Sequence, residues 1–258
     1  VVADGGKERN MIDVFGASDV GKTRELNEDS FLIQENEHGD QLLLVCDGIG
    51  GAASGEVASA MVCQIASEMF EKAPVFTKDY QVDEWIRKTM NKANDSIYAK
   101  SMWTRKNRGM GTTVAGCLIC EHGTYIFNAG DSRVYALYSD GLIQMSEDHS
   151  YVQSLVNENK ITAKEARNHE KRSALTNAIG VWRAFRLDVN KIKSNYKALL
   201  ISSDGLHGYV AENKISRVLE SSLSIRQKTG LLIELADQAG GLDNCTVIVS
   251  GPGYDYAG

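Results

Sequence analysis

The run Leu42-Leu43-Leu44-Val45-Cys46 passes without a break into Asp47-Gly48-Ile49-Gly50-Gly51. Unbroken apolar residues of this length suit a strand covered on both faces. The glycines let the backbone turn sharply and come close to whatever Asp47 holds. A carboxylate at the edge of a buried strand is costly without a cation or hydrogen-bond donors. The same pattern returns at Ala198-Leu199-Leu200-Ile201-Ser202-Ser203-Asp204-Gly205. It is mirrored at Gly241-Leu242-Asp243-Asn244, ahead of Val247-Ile248-Val249. In an antiparallel sheet the end of one strand lies beside the start of its neighbour. Asp47, Asp204 and Asp243 are thus expected to gather on one edge, where they would raise one another's pKa unless metal ions sit among them.

Strands are expected over 12–18, 30–34, 112–120, 124–128, 133–138, 142–145, 184–189, 197–203 and 245–250. Helices are expected over 55–73, 82–102, 212–221 and 225–239. Ser54 stands where a cap would begin the first helix. Val57, Met61, Ile65 and Met69 form its core stripe; Ile86, Met90, Ala93 and Ile97 form that of the second. In the last helix Leu231 or Leu232, Leu235 and Ala239 face inward. Residues 148–180 read as short polar helices (151–157, 162–168, 174–178), a mobile subdomain beside the site. Asp140-Gly141 is a hairpin turn between short strands, whereas Asp47-Gly48 and Asp204-Gly205 follow buried runs. Strands and helices come in blocks, which gives an α+β class with two mainly antiparallel sheets and helices outside.

The 258 residues contain two prolines and no low-complexity tract, so a single domain over 1–258 is expected. A net charge of −6 argues against a nucleic-acid surface. No apolar stretch approaches the ~20 residues needed to span a bilayer. The five cysteines are irregularly spaced, and Cys117 and Cys120 fall in one strand on opposite faces. Reduced thiols and a cytoplasmic setting follow. Val1 in place of Met and the tail 251–258 read as trimmed or flexible ends of what could be a piece of something longer.

Six motifs occur in order: Arg24-x-x-x-Glu28-Asp29, Asp47-Gly48-Ile49-Gly50-Gly51, Gly111-Thr112-Thr113, Gly130-Asp131-Ser132-Arg133, Ser203-Asp204-Gly205-Leu206 and Asp243-Asn244-x-Thr246. Together they resemble the metal-dependent serine/threonine protein phosphatases of the type 2C (PPM) family, bacterial branch, from about Ile12 to Ser250. The resemblance implies a β-sandwich flanked by helices, with a small helical flap subdomain at about 148–180. It also implies two magnesium or manganese ions at one end of the sandwich. Asp47 would bridge them, the Gly48 carbonyl would add a ligand, and Asp204 and Asp243 would hold the first ion. Glu28 and Asp29 would orient metal-bound waters, and Asp131 would help Asp204 hold a third, weaker ion. Hard divalent cations take such oxygen ligands, and a hydroxide bridging two of them is a nucleophile usable at neutral pH. Arg24 suits a bidentate grip on phosphate. On the residues alone, Arg24 also fits a surface ion pair with Glu28, and Asp131 a hairpin tip. Arg133 reads as structural.

The implied activity is hydrolysis of phosphoserine and phosphothreonine in proteins, with Arg24, Asp47 and Asp204 carrying it. The alternative is a catalytically weak pseudophosphatase that binds phosphoproteins. A third reading, a two-metal hydrolase of small phosphoesters, would want a closed pocket. The expected partners are phosphorylated proteins and a cognate serine/threonine kinase, and the expected state is a monomer. Some family members carry a histidine after Asp-Gly as a general acid. Here that position is Ile49, His149 and His207 read as structural or surface residues, and a metal-bound water is left to protonate the leaving oxygen.

Overall fold

A computed structural model describes residues 12–50, 54–103 and 107–252. The chain runs β1 (Ile12–Asp19), β2 (Ser30–Glu35), β3 (Gln41–Cys46), β4 (Gly48–Ile49), α1 (Gly55–Phe70), α2 (Asp79–Trp103), β5 (Gly111–Thr112), β6 (Val114–Cys120), β7 (Gly123–Ala129), β8 (Arg133–Tyr138) and β9 (Gly141–Gln144). It continues through α3 (Tyr151–Asn157), α4 (Ala163–Arg167), β10 (Asp188–Ile192), β11 (Ala198–Ser202), α5 (Asp204–His207), α6 (Glu212–Glu220), α7 (Ile225–Gln238) and β12 (Cys245–Pro252). Gly51, Val1 and the tail beyond residue 252 lie outside the described residues.

Two five-stranded antiparallel sheets, ordered β1-β12-β11-β8-β9 and β10-β7-β6-β3-β2, pack face to face. The α+β sandwich is as the sequence implies. Its layering explains the uniform apolarity of β3. Leu43 and Val45 point between the sheets, against Ala115, Val134, Ile201 and Ile248. Leu42, Leu44 and Cys46 point the other way, under α1 and α2. Burial of an aliphatic side chain contributes about 1.5–3 kcal/mol, so a polar residue at any of the five positions would break one layer or the other. On the far side, Leu200, Val247 and Val249 receive Leu232 and Ala236 of α7. Among the described residues, no helix is long and apolar enough to cross a membrane. All five cysteines are free thiols.

Several local expectations are corrected. The buried stripe of α1 is Ala58, Val62, Ala66 and Phe70; the sequence stripe Val57, Met61, Ile65, Met69 lies on its flank, only partly buried. In α7 it is Ala236 that faces inward, and Ala239 is exposed. Ser54 occupies the N-cap position of α1, yet its side chain makes no capping hydrogen bond. The Gly55 N–H donates instead to Glu28 Oε1 at 3.1 Å. The strand expected over 184–189 begins only at Asp188. Before it, amide side chains replace a ladder: Asn94 Nδ2 donates to the carbonyls of Trp182 and Arg183, and Asn177 exchanges two bonds with Arg186. No helix forms over 174–178, because this segment is held extended by bridges Leu175–Ser150 and Ile179–Thr112. The end of the supposedly mobile region is therefore pinned in the core, with Ala178 and Ile179 buried.

Candidate active site

Asp47 leaves the end of β3, Asp204 follows β11, and Asp243 precedes β12. Because β11 and β12 are antiparallel neighbours with Ser202 opposite Val247, the last two meet at one end of their sheet. Asp47 reaches the same end from the other sheet. The single edge foreseen in the sequence is thus the mouth of the sandwich, fed by both layers. Asp131 joins them from the β7–β8 connection, where Gly130 turns at φ +113°.

Backbone groups fix these carboxylates in place. The Asp47 N–H donates to Thr113 Oγ1 at 3.0 Å. Its carbonyl accepts from the Thr113 N–H at 2.8 Å and from Thr112 Oγ1 at 2.9 Å. Thr113 Oγ1 and Ser132 Oγ lie 2.6 Å apart, which links the Asp47 turn to the Asp131 loop. Asn244 does the same on the opposite side. Its Nδ2 donates to the carbonyls of Val20 and Leu26 at 2.9 and 3.0 Å, and its Oδ1 accepts from the Glu28 N–H at 2.9 Å. The loop before Glu28-Asp29 is thereby stapled to the start of β12. Gly-Thr-Thr and Asp-Asn were visible as motifs, but the work of Thr112, Thr113 and Asn244 was not.

Burial pushes the Asp29 carboxyl up to about 7, aided by the charges of Asp204 and Asp243 and opposed by the Thr246 and Ser203 hydroxyls. Burial and the charge of Asp243 raise Asp204 to about 6, against a carboxyl–carboxyl hydrogen bond with Asp47. Asp47 is raised well above the ordinary range by crowding within the protein, then by Asp29, Asp204 and Asp131. Although it keeps some solvent contact, its dense surroundings decide its proton affinity. Asp131 is raised likewise, by burial and by Asp204. Carboxyls crowded in this way favour a bound cation among them.

Arg24 Nη2 donates to Asp243 Oδ2 at 2.9 Å. Its ion-pair partner is therefore Asp243, and the pairing with Glu28 weighed from the sequence does not form. Glu28 is committed to the first turn of α1 through Gly55. Arg133 grips Asp148 bidentately at 2.8 and 2.6 Å and is structural, as expected. His149 and His207 are also structurally bonded: His149 Nε2 lies 3.0 Å from Asp188, and His207 Nδ1 3.1 Å from Ser202 Oγ.

Among the described residues, no three acidic, histidine or cysteine side chains close on one point as a ready-made coordination shell. Asp243 is drawn to Arg24, and Asp47 to Asp204. The donors nevertheless fit a hard divalent ion. They are carboxylates, they repel one another, and Asp29 Oδ1 is buried without a hydrogen-bond partner. A cavity of about 270 Å3 opens from Asp131 and Asp204 towards α3 and α4, with Val152, Val156 and Ala166 on one wall and Arg167 and Arg172 beside them. A larger groove of about 690 Å3, lined by Glu147, Arg186 and Asp188, touches none of the clustered carboxylates. The smaller cavity is the one that adjoins the chemistry.

The sequence profile described as protein phosphatase 2C matches residues 20–238. The chain is similar to the serine/threonine phosphatase stp of Listeria monocytogenes, 32% identical over 233 residues, covering 90% of this chain and 92% of the relative. It is 29% identical to protein phosphatase PhpP of Streptococcus pneumoniae over 231 residues, covering 89% and 93% of the two chains. Its fold superposes on the crystal structure of serine/threonine phosphatase Stp1 from Staphylococcus aureus with a TM-score of 0.89, at 34% identity, over 95% of this chain and 96% of that one. For the serine/threonine phosphatase PstP/Ppp of Mycobacterium tuberculosis the TM-score is 0.81, at 31% identity, over 94% and 99%.

Proposed function

The chain belongs to the protein phosphatase 2C family and is a protein serine/threonine phosphatase, and we propose that it hydrolyses its phosphoesters at the mouth of the sandwich, on the cluster Asp47, Asp204 and Asp243. The observation that carries this reading is the convergence of these carboxylates, from the ends of β3 and β11 and the start of β12, on one mouth of the sandwich. Four carboxyls, Asp29, Asp47, Asp131 and Asp204, are all raised by burial with mutual repulsion, and Asp29 Oδ1 is buried with no partner.

Asp47, Asp204 and Asp243, with the Gly48 carbonyl, would hold two magnesium or manganese ions, and Asp131 with Asp204 a third. Bound there, the ions supply an activated water and neutralise charge on the phosphate. The chain's own groups do the rest. Arg24, half exposed at the rim, is placed to grip phosphate oxygens. Asp29 supplies an acceptor that steers a proton-bearing group at the centre. The cavity under α3 and α4 gives the flap subdomain, about 148–180, a place beside the bound segment. A phosphorylated stretch of an exposed protein loop fits this open setting. We assign phosphorylated proteins, including a cognate serine/threonine kinase, as its partners, and a monomer in the cytoplasm as its working form. The five carboxylates argue for turnover over phosphoprotein binding alone.

The test is hydrolysis of p-nitrophenyl phosphate and of a phosphothreonine peptide, with manganese and with EDTA, by wild type and Asp204→Ala. Metal-dependent turnover that falls by orders of magnitude in the variant, with far-UV circular dichroism unchanged, is expected. Activity that survives EDTA, or an Asp204→Ala protein as active as wild type, overturns the assignment.

A further inference from the structure

Ser203 stands at the N-cap position of α5, where a serine ordinarily accepts a hydrogen bond from the first helical turn. It makes no such bond. Its hydroxyl, fully buried, donates to Asp29 Oδ2 at 2.7 Å and accepts from the Thr246 N–H at 2.9 Å. Ser203 N–H in turn donates to the Thr246 carbonyl at 3.0 Å. The serine is thus wedged between two strands' ends with one orientation open to its proton, toward Asp29.

The Thr246 hydroxyl, which favours the ionised form of Asp29, is oriented by a chain of its own. Asn27 Nδ2 donates to Ser18 Oγ at 2.8 Å, and Ser18 Oγ lies 2.6 Å from Thr246 Oγ1. An amide can only donate from its nitrogen. With Ser18 accepting there, its own proton is free to go to Thr246, and the proton of Thr246 to Asp29. The Asp29 N–H closes the loop on Asn27 Oδ1 at 3.1 Å. All of this polar material, drawn from four separate segments, serves one carboxylate. One of that carboxylate's oxygens is nevertheless left buried and unpartnered.

We infer that Ser203 and Thr246 are positioning residues for the phosphatase reaction: the Ser203 hydroxyl ties up Asp29 Oδ2, the Thr246 hydroxyl lies beside the same carboxylate, and Oδ1 is presented to the reacting centre. The inference rests on the reading of Asp29 as an acceptor at that centre. It makes the serine of Ser203-Asp204-Gly205 a part of the machinery through Asp29, in addition to its place beside Asp204. Outer residues that orient a metal centre's inner groups are each worth about 10–100-fold in metal affinity or activity.

Four proteins test it: wild type, Ser203→Ala, Thr246→Val and Thr246→Ser. Each is measured for kcat and KM on p-nitrophenyl phosphate at saturating manganese, for manganese binding by isothermal titration calorimetry, and for thermal unfolding without metal. Ser203→Ala is expected to lose about tenfold or more in kcat, with KM little changed and manganese bound more weakly. Thr246→Val, equal in volume but without the hydroxyl, should show the same pattern, and Thr246→Ser should recover most of it. A folded Ser203→Ala with wild-type kcat and a wild-type manganese isotherm overturns the inference, as does a loss confined to KM. Should Ser203→Ala not fold, equal kcat in Thr246→Val and Thr246→Ser overturns it. Wild type that neither binds manganese nor turns over with it removes the underlying reading as well, which separates the two failures.

Discussion

Gly48 and Gly55 meet backbone to backbone. A Cβ on Gly48 would lie 2.4 Å from the carbonyl carbon of Gly55, and one on Gly55 would lie 2.7 Å from that of Gly48. The second would also sit 2.6 Å from Glu28 Oε1, the group that satisfies the start of α1. The close approach of α1 to the turn after Asp47 therefore depends on two absent side chains.

Gly55→Ala is expected to push α1 away from that turn and to detach Glu28. Overpacking of a tight contact costs about 1–3 kcal/mol, and catalytic activity should fall with it because Asp47 is one residue from the contact. Gly230→Ala is the control: it is exposed within α7, and a Cβ there meets nothing within 4 Å. It should stabilise by roughly 0.5–1 kcal/mol. Urea unfolding of the two variants checks both signs; equal stabilities would contradict the packing argument.

Arg24 is expected to matter for substrate and hardly at all for folding. Its side chain is 50% exposed, and an exposed ion pair such as that with Asp243 contributes about 0–1 kcal/mol. Arg24→Ala should leave unfolding within about 1 kcal/mol of wild type while raising KM for a phosphopeptide roughly 10–100-fold, the worth of hydrogen bonds to a charged group. Arg24→Lys keeps the charge and loses the planar fork, so it should recover only part. A Michaelis constant unmoved by Arg24→Ala would exclude the phosphate contact.

The strands that carry Asp47, Asp204 and Asp243 were legible because burial on both faces leaves a local trace, an apolar run. The alternating destinations of Leu42 and Leu43 could not be read from it, since both faces demand the same chemistry. The first stripe of α1 was misplaced for a related reason: Met61 and Met69 are larger than Ala58 and Ala66, yet the small residues take the tight side against β3. The supporting bonds left no local trace at all. Thr113 to Asp47, Ser203 to Asp29 and Asn244 to Glu28 span 66, 174 and 216 residues. Such partners are chosen by the fold, so a motif can flag the residue without revealing its role.

Stability without metal should fall as pH rises toward neutrality. In the folded protein Asp29 and Asp204 are carried from an ordinary value of 3.8 to about 7 and about 6. Between pH 4 and 7 the folded state thus holds protons that the unfolded chain has released, and the slope of stability with pH is negative. The stabilisation is complete at the acid end of this window and is lost as pH passes the folded values. Divalent ions bind the deprotonated carboxylates, so manganese should raise the melting temperature more at pH 7.5 than at pH 5.5. Differential scanning calorimetry with and without chelator reads both trends. A metal-free melting temperature that rises from pH 5 to 7 would contradict the carboxylate assignment.

Neither histidine near the site is expected to deliver the proton that a leaving serine or threonine alkoxide needs. His207 lines the cavity beside Asp131 and Asp204, but burial, reinforced by the Arg133 charge, holds its pKa well below the ordinary value. At neutral pH it is uncharged, and its Nδ1 is engaged with Ser202. His149 is buried and bonded at both nitrogens, Nε2 to Asp188 and Nδ1 to Asn177 at 2.8 Å. Asn177 is fixed in turn by its two bonds to Arg186, so its Nδ2 must donate and His149 Nδ1 must accept. Releasing a proton from Nε2 would break the contact with Asp188. His149→Ala should therefore cost about 1–3 kcal/mol of stability by orphaning buried partners. The kcat–pH profile of each folded alanine variant should keep the limbs of wild type. Disappearance of a limb in His149→Ala or His207→Ala, with the other variant unchanged, would identify that imidazole as the acid and displace the role now left to water in a site where Ile49 cannot donate.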